Sequence, residues 1–167
     1  MKEGGKESET NTLFPYATVT ATVSSWNESP FVTNSEGIEE MCITCNDETI
    51  TELFIDRCPR LKRIVIGDDS FGSVRLFRLG RLEVLESVII GKRCFTFCKS
   101  YTDDCGRIDG CCSMEKCSAL VSIQIGDYSF ADYGTYDCAN LPSLQTMAIA
   151  EFCFPHAATF SLARLST

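Results

Sequence analysis

Leu61-Lys-Arg-Ile-Val-Ile-Gly-Asp-Asp-Ser-Phe71 decides the fold, because the chain repeats it. Leu85-Glu-Ser-Val-Ile-Ile-Gly-Lys-Arg-Cys-Phe95, Leu120-Val-Ser-Ile-Gln-Ile-Gly-Asp-Tyr-Ser-Phe130 and Leu144-Gln-Thr-Met-Ala-Ile-Ala-Glu-Phe-Cys-Phe154 fill the same slots with the same kinds of residue. Their first residues lie 24, 35 and 24 positions apart, so the long interval is one period plus 11 residues. A weaker copy starts at Ile38, with Met41 and Ile43 in phase. Recurrence at a fixed period of this size is the signature of a repeat architecture.

A second motif occupies the intervals. Ile50, Leu53, Ile55, Cys58 and Leu61 set its spacing; Val74, Phe77, Leu79, Leu82 and Leu85 follow it, as do Tyr133, Tyr136, Cys138, Leu141 and Leu144. Cys112, Met114, Cys117 and Leu120 fit as well, but Asp109 breaks the first slot of that copy. Each period therefore holds two apolar-x-apolar triplets, such as Leu53/Ile55 and Ile64/Ile66. Alternation of this kind marks a strand with one buried face. One coil of 24 residues cannot bury its inward face alone, but stacked coils can, at about 4.8 Å per strand layer. The pattern predicts a β-rich solenoid with strands along two sides and little helix. Gly67, Gly91 and Gly126 follow the second triplet and are expected to take the turn conformation that other residues resist. The recurring Phe71, Phe95, Phe130 and Phe154 are expected to plug the next corner.

The half-repeat from Ile50 to Leu61 resembles the conserved part of a leucine-rich repeat in its cysteine-containing form. The Ile-Gly-x-x-Ser-Phe element is similar to the BspA-like class of those repeats. The resemblance spans roughly residues 27–167. It implies a right-handed superhelix with a parallel sheet on the concave side and short second strands on the other side. It also implies a binding scaffold with no shared catalytic residues.

Residues 1–26 stand outside the repeats. The first 12 are polar and charged, which predicts disorder. Ala17–Val23 alternates with high β-propensity and reads as a capping strand or an unpaired arm. Trp26 to Ile38 reads as a degenerate half-repeat. The 11 extra residues fall near 98–108 and are expected to leave the solenoid as a corner loop. Ala157, Phe160, Leu162 and Leu165 begin another half-repeat in phase, so the last coil is expected to be truncated and without a polar cap.

With 44% hydrophobic and 23% charged residues, the composition is that of a globular domain. No apolar run is long enough for a membrane helix, so no membrane insertion is expected. Fifteen basic against 23 acidic residues give a charge of −8, the wrong sign for a dedicated nucleic-acid partner. No signal peptide is visible, which favours an intracellular location, where the 11 cysteines would remain thiols.

Candidate chemistry is sparse. Cys42-Ile-Thr-Cys45 is a CxxC, but no second CxxC completes a zinc set, and the pair flanks a strand rather than opening a helix. Cys58, Cys117 and Cys138 fall in inward repeat slots, where cysteine serves as a small apolar residue. Cys94 and Cys153 share a slot just before the recurring phenylalanine. Cys98, Cys105 and Cys111 are the best placed for a disulfide in an oxidising compartment. Cys153 with His156, the one histidine, is the only cysteine–histidine pairing for a nucleophile. Neither Asp68/Asp69 nor Asp103/Asp104 has calcium-loop spacing. No cofactor or metal site is expected.

What remains is surface. On the second-motif strands the outward central column reads Phe54, Arg78, Ser113, Asp137 and Ser161. The columns beside it read Glu52, Leu76, Cys111, Thr135 and Thr159, and Asp56, Gly80, Glu115, Ala139 and Ala163. Phe54 and Leu76 with Arg78 combine the aromatic, aliphatic and arginine groups that interface hot spots favour. The opposite outward column, Val65, Ile89, Gln124 and Ala148, is unusually apolar. The sequence thus reads as a non-catalytic scaffold that binds a protein ligand, or a glycan if displayed outside a cell, through Phe54, Leu76, Arg78, Ser113, Asp137 and Ser161. Two alternatives stay open: a thiol-dependent enzyme or redox protein, and a non-functional fragment of a longer repeat array.

Overall fold

The computed structural model describes residues 19–22, 37–56, 58–97 and 109–163. The expectations for residues 1–12, for most of the half-repeat from Trp26, for the insertion near 98–108 and for Leu165 lie outside these residues. Eleven strands follow one another: β1 (Val19–Thr22), β2 (Glu40–Thr44), β3 (Glu52–Ile55), β4 (Arg63–Ile66), β5 (Leu76–Gly80), β6 (Ser87–Ile90), β7 (Gly110–Glu115), β8 (Ser122–Ile125), β9 (Tyr133–Ala139), β10 (Thr146–Ile149) and β11 (Thr159–Ala163). There is no α-helix among the described residues.

Successive strands alternate between two parallel sheets. One runs β1-β2-β4-β6-β8-β10 and the other β3-β5-β7-β9-β11. The chain is therefore a parallel β-solenoid, and each coil contributes one strand to each sheet. β2 and β3 form the first coil, β10 and β11 the fifth. β1 extends the larger sheet by pairing Val19–Thr22 with Met41–Thr44.

The register follows the repeat alignment. Ile64, Val88, Ile123 and Met147 are successive partners in the six-stranded sheet, and so are Ile66, Ile90, Ile125 and Ile149. In the other sheet the inward columns are Leu53-Phe77-Cys112-Tyr136-Phe160 and Ile55-Leu79-Met114-Cys138-Leu162. Leu61, Leu85 and Leu120 are fully buried in one core between the sheets, with Leu144 half-buried against it. Each of the four closes a short turn, donating its N–H to the carbonyl three residues earlier: Cys58, Leu82, Cys117 and Leu141. Burying a leucine of this kind contributes about 1.5–3 kcal/mol.

The corners differ from the sequence reading in one respect. None of the described glycines has a positive φ. The left-handed positions are the phenylalanines themselves: Phe71 (60°), Phe95 (55°), Phe130 (58°) and Phe154 (52°). Two residues before each, Asp69, Arg93, Tyr128 and Phe152 are left-handed as well. Such backbone costs of order 1–3 kcal/mol at a non-glycine residue. The aromatic ladder that it creates offsets the cost. Phe71 stacks on Phe95 at 5.4 Å, Phe95 on Phe130 at 4.7 Å and Phe130 on Phe154 at 4.9 Å, the last two pairs within 9° of parallel. The glycines serve close approach instead. A Cβ on Gly126 would lie 2.7 Å from the backbone of Gly91, and one on Gly91 would lie 2.8 Å from the Asp68 nitrogen.

Hydrogen bonds tie the same corner from coil to coil. The Ser70 hydroxyl accepts from the Cys45 amide (3.2 Å) and the Ser129 hydroxyl from the Cys94 amide (3.1 Å). Ser129 donates to the Gly91 carbonyl (2.7 Å), and the Cys94 and Cys153 thiols donate to the Gly67 and Gly126 carbonyls. Serine and cysteine are interchangeable in this slot because each is small and each carries a donor.

Tyr133 repairs the copy that Asp109 breaks. Asp109 turns outward and is ion-paired with Arg75, and Gly110 beside it has no side chain. The Tyr133 ring fills that space, where a Cβ on Gly110 would lie 2.4 Å from it. Its hydroxyl reaches the Val74 carbonyl two coils away, at 2.8 Å. The register of β7 with β9 shifts between Gly110 and Cys111 to accommodate this.

Candidate functional site

The outward face of the five-stranded sheet holds the residues singled out in the sequence. Phe54 pairs across to Arg78, Arg78 to Ser113, Ser113 to Asp137 and Asp137 to Ser161, so the five form one unbroken column. Leu76, Cys111, Thr135 and Thr159 form the column on one side, beginning at Glu52. Gly80, Glu115, Ala139 and Ala163 form the column on the other. The period-2 pleat puts them there: their neighbours in sequence point into the core, so these side chains must point out.

Within this face Phe54 is 47% exposed, whereas Leu76, Ser113, Asp137 and Ser161 are half-buried. Phe54 lies on β3, the edge strand of this sheet. Arg78 is not a lone cation. Its guanidinium donates to the Glu115 carboxylate on the next strand, two residue pairs along. The alignment placed both residues on the face but could not pair them, since pairing depends on rotamers that strand phase does not specify.

Two further charged groups escaped the sequence reading. Asp132 is 2% exposed and accepts from the Phe97 amide at 2.8 Å and from the Thr96 hydroxyl. Arg75 approaches the same carboxylate at 3.5 Å and lies over the Phe97 ring, 4.0 Å from its centroid. A buried carboxylate needs such partners to remain charged. Its one sequence signal is an aspartate in the slot that Ser73 and Phe97 occupy in earlier coils.

The opposite outward column is Cys42, Val65, Ile89, Gln124 and Ala148, in register along the six-stranded sheet. Val65 and Ile89 are half-buried there, while Gln124 and Ala148 are exposed.

Cys42 lies on the outward side of β2 and Cys45 is buried at its end, so the strand separates the two members of the CxxC. Cys58, Cys94, Cys112, Cys117 and Cys138 are buried. Burial pushes the Cys112, Cys117 and Cys153 thiols up, and carries Cys138 to about 11. Cys111 is raised by partial desolvation and the nearby Asp137 carboxylate. Cys153 is half-buried with its thiol on the Gly126 carbonyl at 3.2 Å, and His156 is exposed at the corner. Among the described residues no three histidine, cysteine or acidic side chains gather in a metal-binding geometry.

No family model, curated protein or solved structure matches the chain.

Proposed function

We propose that this chain is a non-catalytic interaction scaffold of the leucine-rich-repeat type, akin to the BspA-like class, which binds a protein ligand on the outward face of the five-stranded sheet. The observation that carries this reading is the continuous column Phe54-Arg78-Ser113-Asp137-Ser161, with Leu76 beside it, on a sheet held stiff by parallel pairing. A rigid face loses little conformational freedom on binding, so contacts made there are retained as affinity. Phe54 supplies an exposed aromatic group next to the charged Arg78–Glu115 pair, and the later coils offer hydroxyls and Asp137. Raised thiol pKa values weigh against a thiolate nucleophile, because burial disfavours the reactive form.

The test begins with affinity capture on the intact chain and continues with titration of the purified ligand. Phe54→Ala combined with Arg78→Ala is expected to weaken binding at least tenfold, while Gln124→Ala on the other sheet leaves it unchanged. Undiminished binding by the double variant would remove this face from consideration. Rapid alkylation of one thiol at neutral pH, with loss of a measurable activity, would favour an enzyme instead.

A further inference from the structure

The two ends of the solenoid are built differently. At the β3 end, Leu53 and Ile55 are 3% and 5% exposed although their strand is the edge of its sheet, and β1 covers the edge of β2. At the other end β10 and β11 are the last strands of the two sheets, so each leaves one backbone edge without a strand among the described residues. Four of the seven large apolar side chains exposed among the described residues belong to this fifth coil: Ile149, Phe152, Phe160 and Leu162. Phe160 and Leu162 occupy the inward columns that Leu53 and Ile55 begin, and Phe160 stacks on Tyr136 of the fourth coil at 4.8 Å. The exposed surface thus continues the interface that adjacent coils make with each other, and another coil of the same kind fits it.

Charge is the second observation, and it selects the occupant. Edge strands are ordinarily protected from pairing by charged residues. β3 carries Glu52 and is followed by Asp56. β10 (Thr-Met-Ala-Ile) and β11 (Thr-Phe-Ser-Leu-Ala) carry no charge, and Glu151 is the one acidic or strongly basic residue from Leu141 to Ala163. In a two-fold interface the same patch meets itself, so a charged end would repel its own copy. This end is free of that penalty, in a chain whose net charge is −8.

We propose that two copies of this chain join end to end through their fifth coils, about a two-fold axis that runs from one sheet to the other. Such an axis reverses strand direction and keeps each sheet on its own side. β11 therefore meets the second β11 antiparallel, β10 meets the second β10 likewise, and the inward faces remain inward. The two cores become one, with the Phe160–Leu162 segments of both copies at the seam. Because the β3 end buries Leu53 and Ile55, assembly stops at two. The inference goes beyond ligand binding at the Phe54–Arg78 face and does not depend on it.

Sedimentation velocity of the full chain across the micromolar range is expected to show a species of twice the 18.5 kDa of one chain, dissociating on dilution. Hydrogen exchange on either side of that transition should show concentration-dependent protection in β10 and β11 and none in β3. Leu162→Lys, at an inward edge position, should weaken association by about tenfold or more, since it sets like charges against each other. Thr159→Lys, at an exposed outward position on the same edge, should act in the same direction without touching the core. Gln124→Lys, on a central strand, should leave the dimer intact. A monomer throughout the range, growth beyond two copies, protection at β3 in place of β11, or a dimer undiminished by Thr159→Lys and Leu162→Lys would each overturn the proposal.

Discussion

The third and fifth coils are built from the same motif and fare differently. Leu85, Val88 and Phe95 in the third are fully buried. Their counterparts in the fifth are less so: Leu144 and Met147 are half-buried, Ile149 is 37% exposed and Phe154 is 8% exposed. On the second strand of each coil the contrast is sharper, because Cys112 and Met114 are buried while Phe160 and Leu162 are nearly half exposed. The inward-facing sequence does not bury itself. A coil becomes core only when a neighbour lies on each side, so stability here is a sum over interfaces between adjacent coils.

The phenylalanine ladder tests that statement with the largest expected effect. Phe95 stacks on both Phe71 and Phe130 and also touches Phe77 at 4.4 Å, so Phe95→Ala should cost about 3–5 kcal/mol in denaturant unfolding. Phe154→Ala, with one ladder neighbour, should cost clearly less; equal losses would break the comparison. Next come the leucines: Leu85→Ala should cost about 2–5 kcal/mol, and Leu162→Ala about 1 kcal/mol or less, by the same measurement.

A smaller and sharper contrast lies in the glycines. Gly126→Ala drives a methyl onto the Gly91 backbone, whereas Gly67→Ala meets the Thr44 hydroxyl, at the end of a side chain that can rotate away. The first should lose about 1–3 kcal/mol and the second less, as thermal melting would report.

The smallest effect is a pH dependence. With Cys138 at about 11 when folded, against an ordinary value of 9.0, the unfolded chain releases that proton first. Its contribution is therefore intact below about pH 9 and fades as the pH climbs toward 11. Denaturation midpoints should fall across that window, and Cys138→Ala should flatten part of the decline. In the same range iodoacetamide should label Cys153, in the open coil, before Cys112 or Cys138.

The strands were legible because two periodicities agreed: alternation within Leu53/Ile55 and Ile64/Ile66, and the phase of 24 that aligned them with later copies. Register followed, since a slip of one residue would turn every apolar side chain outward. The left-handed corners were not legible. Local preference assigns such backbone to glycine, and only the stack of rings, a contact between coils, makes it favourable at phenylalanine. Nor was the role of Tyr133, whose reach to Val74 depends on the missing side chain at Gly110. On the candidate face, alignment placed the column from Phe54 to Ser161 but could not foretell the ion pair of Arg78 with Glu115.

The seam between the third and fourth coils has a practical consequence. The Phe130 amide bonds to the Cys94 carbonyl at 2.9 Å across 36 residues, while the Phe95 amide bonds to the Ser70 carbonyl at the same distance across 25. Stacking geometry is thus indifferent to how much polypeptide separates Phe97 from Asp109. Foreign sequence grafted between Phe97 and Asp109, from an epitope tag to a small reporter module, is therefore expected to leave the pitch of the spiral unchanged.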